Sequence, residues 1–286
     1  MERGAGSQSV HSSEEAGQCP WSEGRQEGGD VTNGPTEERP LAVPETAERG
    51  GEVRARWAWT EPSVWTERML TALENGVKGG KWYCLCDKVI DPRNLTAAFA
   101  KVKANKGAPG VDHVTVKMFK DRQEENLRNL AETLKAGRYQ PQAIRRKMIP
   151  KPGKKNEYRP LGIPTVRDRT VQTALRNVLE PIFERDFAEH SYGFRPGRGC
   201  KDALRRVDKL LRTGHTWVVD ADLKSYFDTI PKDQMMERVR EKVSDGTVLK
   251  LVEQFLNQQV MEGLNGWVPE AGTPQGAVIS PLLSNI

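Results

Sequence analysis

The chain has 286 residues, of which 36% are hydrophobic and 29% are charged. A chain of this length can bury one large core or two ordinary ones, which excludes a small disulfide-framed protein. No apolar run approaches the ~18 residues of a membrane helix and no secretory signal opens the chain, so we expect no membrane association and a cytoplasmic location.

Charge is distributed unevenly along the chain. Residues 1–60 carry 6 Lys and Arg against 11 Asp and Glu, whereas the remainder has a net charge of +10. The first segment has too few large apolar side chains to offset the entropy of ordering it, which predicts a disordered acidic leader over 1–60. Residues 61–88 stay an uncertain linker or docking segment, and the basic remainder favours a polyanionic partner.

Two amphipathic helices open the ordered part of the chain. Asp91-Pro92 is typical of a helix start, with an N-cap residue before a proline at the first helical position. Apolar residues then recur at helical spacing until the turn at Gly107. A second apolar face follows over 127–134, and Gly137 ends that helix.

The stretch 141–176 is strongly basic and is interrupted by prolines and a glycine. It predicts an extended strand from Gln142 into a basic turn, with charge enough to neutralise several phosphates. A merely solvated charge run explains the stretch equally well when it is considered alone. Its basic residues are Arg145, Arg146, Lys147, Lys151, Lys154, Lys155, Arg159, Arg167, Arg169 and Arg176.

Helices dominate the rest of the chain. Apolar spacing predicts a long helix over 171–183 with a kink near Pro181, and then further helices over 203–211, 231–243 and 247–260. Ser280-Pro281 is typical of one more helix start. One strand is predicted over 216–223, and so few strands among helices indicate a mixed α+β fold without a doubly wound sheet.

The strand predicted over 216–223 ends in a carboxylate. Alternation places Val218, Asp220 and Asp222 on one face, where burial of a charge requires a cation or hydrogen-bond donors. Strand-end carboxylates of this kind hold Mg²⁺ in phosphoryl-transfer enzymes. The alternative is a solvated strand end, or a cap for the turn that begins at Asp228.

The sequence GTPQG at 272–276 is a second candidate site. Its glycines let backbone approach a ligand closely, and the amide of Gln275 can both donate and accept hydrogen bonds. Taken alone, the motif is equally an ordinary turn.

Five blocks follow one another in the chain. They are IPKPG (149–153), YRPLGIPTVRDR (158–169), SYGFRPGR (191–198), DLKSYFD (222–228) and the run from GTPQG to SPLLSNI (272–286). In this order they resemble the reverse-transcriptase blocks of group II intron-encoded proteins, and the resemblance extends from about Val89 to Ile286. It implies a right-hand polymerase of α+β class, with fingers over 89–200 and a truncated palm over 201–286, built from an antiparallel sheet and packed helices.

The resemblance also implies roles for individual residues in catalysis. Asp222 matches the catalytic aspartate that bridges two Mg²⁺ ions, and Leu223 matches the residue whose backbone carbonyl contacts one of them. Phe227 falls where a bulky ring excludes a ribose 2′-OH. Gln275 matches the glutamine beside the nucleotide sugar and template base.

Four basic residues are implied in binding. Lys151 and Arg159 match the fingers residues that hold the incoming triphosphate, although Lys154 or Lys155 could substitute for Lys151. Arg195 and Arg198 are expected on the template or primer backbone. The alternative for that last pair is an internal ion pair with Glu189 or Asp186.

The family's next block carries paired aspartates in a Tyr-Ala-Asp-Asp turn, which this sequence does not contain. We therefore expect a group II intron RNA-directed DNA polymerase whose 286-residue chain is an incomplete fragment with little or no activity. The implied partners are intron RNA template, DNA primer and dNTPs, with a two-ion Mg²⁺ site that is incomplete here. The alternative is a non-catalytic intron-RNA-binding maturase module.

Overall fold

The computed structural model describes residues 50–154 and 156–286, with side chains from Val53 onward. Residues 1–49 of the predicted leader lie outside the described residues. The leader boundary at residue 60 is wrong, because a helix spans Gly50–Arg56 and the side chains of Val53 and Trp57 are buried in the core. Among the described helices, none combines the length and apolar character needed to cross a membrane.

Twelve α-helices and four β-strands lie within the described ranges. The helices are α1 (Gly50–Arg56), α2 (Glu67–Asn75), α3 (Cys86–Ile90), α4 (Pro92–Ala104), α5 (Val116–Asp121), α6 (Gln123–Lys135), α7 (Val166–Glu184), α8 (Cys200–Arg212), α9 (Tyr226–Thr229), α10 (Lys232–Lys242), α11 (Gly246–Leu256) and α12 (Ser280–Asn285). The strands are β1 (Ile144–Pro150), β2 (Tyr158–Ile163), β3 (Val260–Glu262) and β4 (Asn265–Trp267).

Residues 61–88 belong to the helical core. Trp65 is fully buried, and its indole Nε1 donates to the backbone oxygen of Asn177 in α7 at 2.9 Å. Trp57 donates to the Glu74 carboxylate at 2.6 Å, which joins α1 to α2. Burial of these large aromatic side chains stabilises a segment that the sequence left as a linker or docking segment.

Helix α7 is the central element of this core. Helix α4 starts at the predicted cap, where the Asp91 carboxylate accepts from the backbone nitrogen of Arg93 at 2.8 Å. The buried face of α4, which includes Leu95 and Phe99, packs on α7. Almost every side chain of α7 is buried, and the helix continues past Pro181 to Glu184.

The sheet has the strand order β2-β1-β3-β4. Strand β1 is antiparallel to β2 but parallel to β3, and β3 is antiparallel to β4. The α+β class is confirmed, whereas the sheet is mixed and not wholly antiparallel as predicted. A parallel pair forms because β1 and β3 are separated by the long crossover that contains α7 to α11.

The strand predicted over 216–223 is wrong. This segment is irregular, with Trp217 96% exposed and Asp222 also exposed. No described strand pairs with it, and an extended segment without a neighbour leaves its backbone groups to water. The helix predicted to Val260 also ends early, at Leu256, because Val260 starts β3.

Candidate active-site cleft

A cleft of about 270 Å³ lies where the sheet meets α9 and the GTPQG turn. Strands β1 and β2 form one wall, the β3–β4 hairpin a second, and α9 with residues 269–275 the third. Its lining residues are Ile144, Arg146, Pro160, Gly162, Phe227, Asp228, Val260, Trp267, Pro269, Ala271, Thr273, Pro274 and Gln275.

The GTPQG turn is tied to elements on both of its sides. The backbone nitrogen of Gly162 in β2 donates to the Gln275 oxygen at 2.6 Å, and the Thr273 nitrogen donates to the Phe227 oxygen in α9 at 2.8 Å. Backbone hydrogen bonds therefore join the GTPQG turn to strand β2 on one side and to α9, which belongs to the DLKSYFD block, on the other.

Two glycines make these close approaches possible. A Cβ atom on Gly272 would lie 2.4 Å from the Phe227 oxygen, and one on Gly276 would lie 2.4 Å from the Gly162 oxygen. Both glycines have positive φ, at +82° and +101°. Any side chain there would meet backbone atoms in a conformation that L-residues rarely adopt.

The side chain of Gln275 is oriented by Asp228. Its amide Nε2 lies 3.1 and 3.2 Å from the two oxygens of the Asp228 carboxylate. An ionised carboxylate can only accept, so the amide turns its NH₂ group towards Asp228 and leaves Oε1 as an acceptor for a ligand. From the sequence, Asp228 was predicted only as part of a turn, and no local signal indicated this contact.

Phe227 lies half-buried on the cleft wall, between two other aromatic rings. The Phe194 ring contacts it edge-on at 6.4 Å between centroids, and the Tyr226 ring lies 6.0 Å away at 67°. The Tyr226 hydroxyl donates to the Ser284 backbone oxygen at 2.8 Å. These contacts hold the Phe227 ring at the cleft and restrict its rotation.

Asp222 and Leu223 lie outside this lining. Both are exposed in the irregular segment before α9, and within residues 50–154 and 156–286 no cation pairs with the Asp222 carboxylate. The same described residues contain no group of three or more His, Cys, Asp or Glu side chains placed to hold a metal ion. The donors present do not fit the two-ion Mg²⁺ site that the resemblance implies, since Mg²⁺ prefers several oxygen ligands.

Lys151 and Arg159 lie on the β1–β2 hairpin and are both exposed. The Lys151 ammonium is 3.1 Å from the Glu157 carboxylate, and the Lys154 ammonium is 3.4 Å from the same oxygen. The hydrogen bond from Lys151 lowers the pKa of Glu157 below its ordinary value. Lys155 lies outside the described residues.

Arg195 is buried, with 6% of its surface exposed, and is held entirely by internal partners. Its guanidinium contacts the Glu184 carboxylate at 2.7 Å and donates to the backbone oxygens of Ala188 and Ser191. The structure thus places Arg195 in an ion pair and not at the expected nucleic-acid surface, and its partner is neither of the two acids considered. Arg198 is half-buried and donates to the Glu189 backbone oxygen.

Two further cleft residues, besides Asp228, were not predicted as part of a site. Arg146 was counted only within the basic stretch, and Trp267 belongs to a hairpin that was not predicted. The turn of this hairpin is Gly263-Leu264, and the strands on either side of it are three residues each and give no clear alternation.

Comparisons with known proteins agree with this arrangement of blocks. Residues 149–286 match the family model described as reverse transcriptase (RNA-dependent DNA polymerase). Protein YkfC of Escherichia coli K12 is 40% identical over 239 residues, which cover 81% of this chain and 58% of that protein. The group II intron-encoded protein LtrA of Lactococcus lactis is 37% identical over 200 residues, covering 69% of this chain and 33% of LtrA.

A solved chain of the partial Cas6-RT-Cas1–Cas2 complex superposes with a TM-score of 0.49 at 23% identity, over 70% of this chain and 33% of that one. The chain spans 58% of the length of YkfC and 33% of the length of LtrA. The residues that match the family model, 149–286, contain the GTPQG turn and helix α9, which line the cleft. Residues 149–286 therefore form a reverse-transcriptase domain, and the chain is similar to group II intron-encoded proteins.

Proposed function

We propose that this chain forms the fingers and partial palm of an RNA-directed DNA polymerase that serves a group II intron, with RNA binding for splicing and mobility. Its substrates are an intron RNA template, a DNA primer and dNTPs. The observation that carries the proposal is the cleft in which Phe227, Asp228 and Gln275 meet strand β2.

The cleft residues supply selection of the nucleotide. The oriented Oε1 of Gln275 accepts from a hydroxyl or amino group of the nucleotide, because Asp228 occupies the amide NH₂ group. The Phe227 ring, held by its aromatic neighbours, occupies the space of a 2′-OH and favours a deoxyribose. A dNTP is thus recognised by one hydrogen bond and one steric contact.

The β1–β2 hairpin supplies charge for the triphosphate and the nucleic-acid backbone. Arg159 offers a planar fork of donors that suits phosphate oxygens, and Lys151 offers an ammonium that would exchange Glu157 for phosphate. Arg198, at the surface loop before α8, stays a prediction for the template or primer backbone. Binding through these residues weakens as salt rises.

Reverse transcriptases generally use Mg²⁺, and the metal-binding roles that the resemblance implies for Asp222 and the Leu223 carbonyl stay predictions. The described residues do not assemble the site, so no step of the proposal passes through a bound ion. We expect little or no primer extension by the 286-residue chain alone. A cytoplasmic location also stays a prediction.

The proposal is tested by a salt-challenged binding assay. The chain is bound to a labelled DNA primer on an RNA template, and complex survival is measured with the complementary dNTP, a mismatched dNTP or none. We expect the complementary dNTP alone to stabilise the complex, and Gln275→Ala to remove that effect while Tyr83→Ala, at an exposed ring outside the cleft, keeps it.

Two results would contradict parts of this account. Salt-dependent RNA binding that no dNTP alters would leave the non-catalytic RNA-binding module as the function. Efficient Mg²⁺-dependent primer extension, abolished by Asp222→Ala, would show that the chain assembles an active metal site and that the expectation of an incomplete enzyme is wrong.

A further inference from the structure

The wall of the cleft contributed by β3 and β4 has no role in the function proposed above. Ile144 pairs with Val260, and Val260 pairs in turn with Trp267, so these three residues stand opposite one another across three strands. Residues paired in this way share a face of the sheet. All three line the cleft, and Trp267 remains 39% exposed.

The Trp267 indole is held in place by Arg146. The guanidinium carbon lies 5.4 Å from the indole centroid, and Nη1 lies 3.1 Å from the Glu262 carboxylate. The carboxylate neutralises the arginine and fixes it, so the stacked pair is oriented before any ligand arrives. One indole surface is thereby engaged, while the exposed part of the ring is available to a ligand.

No side chain projects from Gly162, which stands opposite Arg146 on β2. A Cβ atom there would lie 2.9 Å from the Ile144 side chain and from the Gln275 oxygen, so these two groups cover that position. The cleft volume of about 270 Å³ is small, just below the range usual for ligand clefts. It suits a single planar group better than a peptide segment or a helix.

We propose that Trp267, oriented by Arg146, is a stacking site for an unpaired base of single-stranded nucleic acid. Aromatic side chains beside basic strands bind single strands in this way, since every base has a π-face and the flanking cations contact phosphate. The inference rests on the proposed function, because it assumes that nucleic acid reaches this cleft. It adds a base-binding residue that acts independently of the phosphate contacts.

The test separates base stacking from phosphate binding. Fluorescence anisotropy measures affinity of the 286-residue chain for two labelled oligonucleotides of equal length, one with bases and one with abasic sugars throughout. Trp267→Ala is expected to weaken binding of the base-containing strand by about 5- to 150-fold and to leave the abasic strand unchanged. Trp267→Phe, which keeps a ring, is expected to recover most of the affinity.

The same two oligonucleotides serve for the control variant and for the results that would contradict the proposal. Tyr83→Ala removes a ring that is 61% exposed outside the cleft and is expected to change neither affinity. Equal losses for both strands, or no loss at all, in a Trp267→Ala variant with unchanged melting temperature would overturn the stacking site.

Other outcomes also decide the question. If the wild-type chain binds both strands equally, the stacking site fails while binding by the basic hairpin stands. If it binds neither strand, the proposed function and this inference both fail.

Discussion

Replacing Arg195 by alanine should destabilise the fold while leaving the nucleic-acid surface intact. The variant leaves the Glu184 carboxylate, whose side chain is 11% exposed, without its cation, and it removes the donor to the backbone oxygens of Ala188 and Ser191. Breaking a buried ion pair from one side costs about 3–5 kcal/mol, because the remaining charge stays desolvated. The melting temperature should therefore fall by about 6–20 °C in a protein of this size.

Denaturant unfolding followed by circular dichroism provides the assay. Arg205→Ala is the matched control, because the Arg205 side chain pairs with Asp202 at 2.7 Å but is 73% exposed. Its loss should change the free energy of unfolding by less than about 1 kcal/mol. Adding Glu184→Gln to Arg195→Ala should recover part of the lost stability, since an amide tolerates the missing cation better than a carboxylate does.

One result would refute this reasoning about Arg195. If Arg195→Ala unfolds like Arg205→Ala but binds RNA severalfold more weakly, then the sequence-based assignment to nucleic acid is right and the structural role is wrong.

Three further predictions concern a buried acid and the GTPQG turn. Burial raises the pKa of Asp168 above its ordinary value, so the folded state holds the proton of this carboxyl more tightly than the unfolded chain does. As pH falls from 7 to 4, the free energy of unfolding of the wild type, measured by urea titration, should therefore rise relative to that of Asp168→Asn. Gly272→Ala should cost about 1–3 kcal/mol more than Gly137→Ala, measured by thermal unfolding, because both have positive φ but only Gly272 faces close backbone atoms; equal costs would contradict the close approach. Gln275→Glu sets a carboxylate against Asp228 and should lower dNTP-dependent stabilisation of the primer–template complex about tenfold, and adding Asp228→Asn should restore it if the pair acts as described.

Helices of this fold could be predicted because their signals are local. The Asp91 cap and the apolar spacing that follows it define α4 without reference to any other element. The prediction of a strand over 216–223 was wrong because alternation of apolar and polar residues shows only that a segment could pair. A strand forms only where another strand lies beside it. The parallel pairing of β1 with β3 is non-local for the same reason.

The candidate site divides along similar lines. The resemblance of the blocks predicted that Phe227 and Gln275 both contact the nucleotide, and the structure places the two residues in one cleft. The sequence left an internal ion pair as the alternative for Arg195 but did not identify the partner, since Glu184 lies 11 residues upstream on another element. Trp267 enters the cleft through strand register, which no short motif encodes.

Nucleotide selection at Phe227 tests the central claim most directly. Stabilisation of the primer–template complex is titrated with complementary dATP and with ATP, for the wild-type chain and for Phe227→Ala. We expect the wild type to prefer dATP and the variant to accept both nucleotides with similar affinity, while Tyr83→Ala keeps the preference. A wild-type chain that does not distinguish the two nucleotides, or a variant that still prefers dATP, would contradict the assignment of this cleft as the deoxynucleotide site.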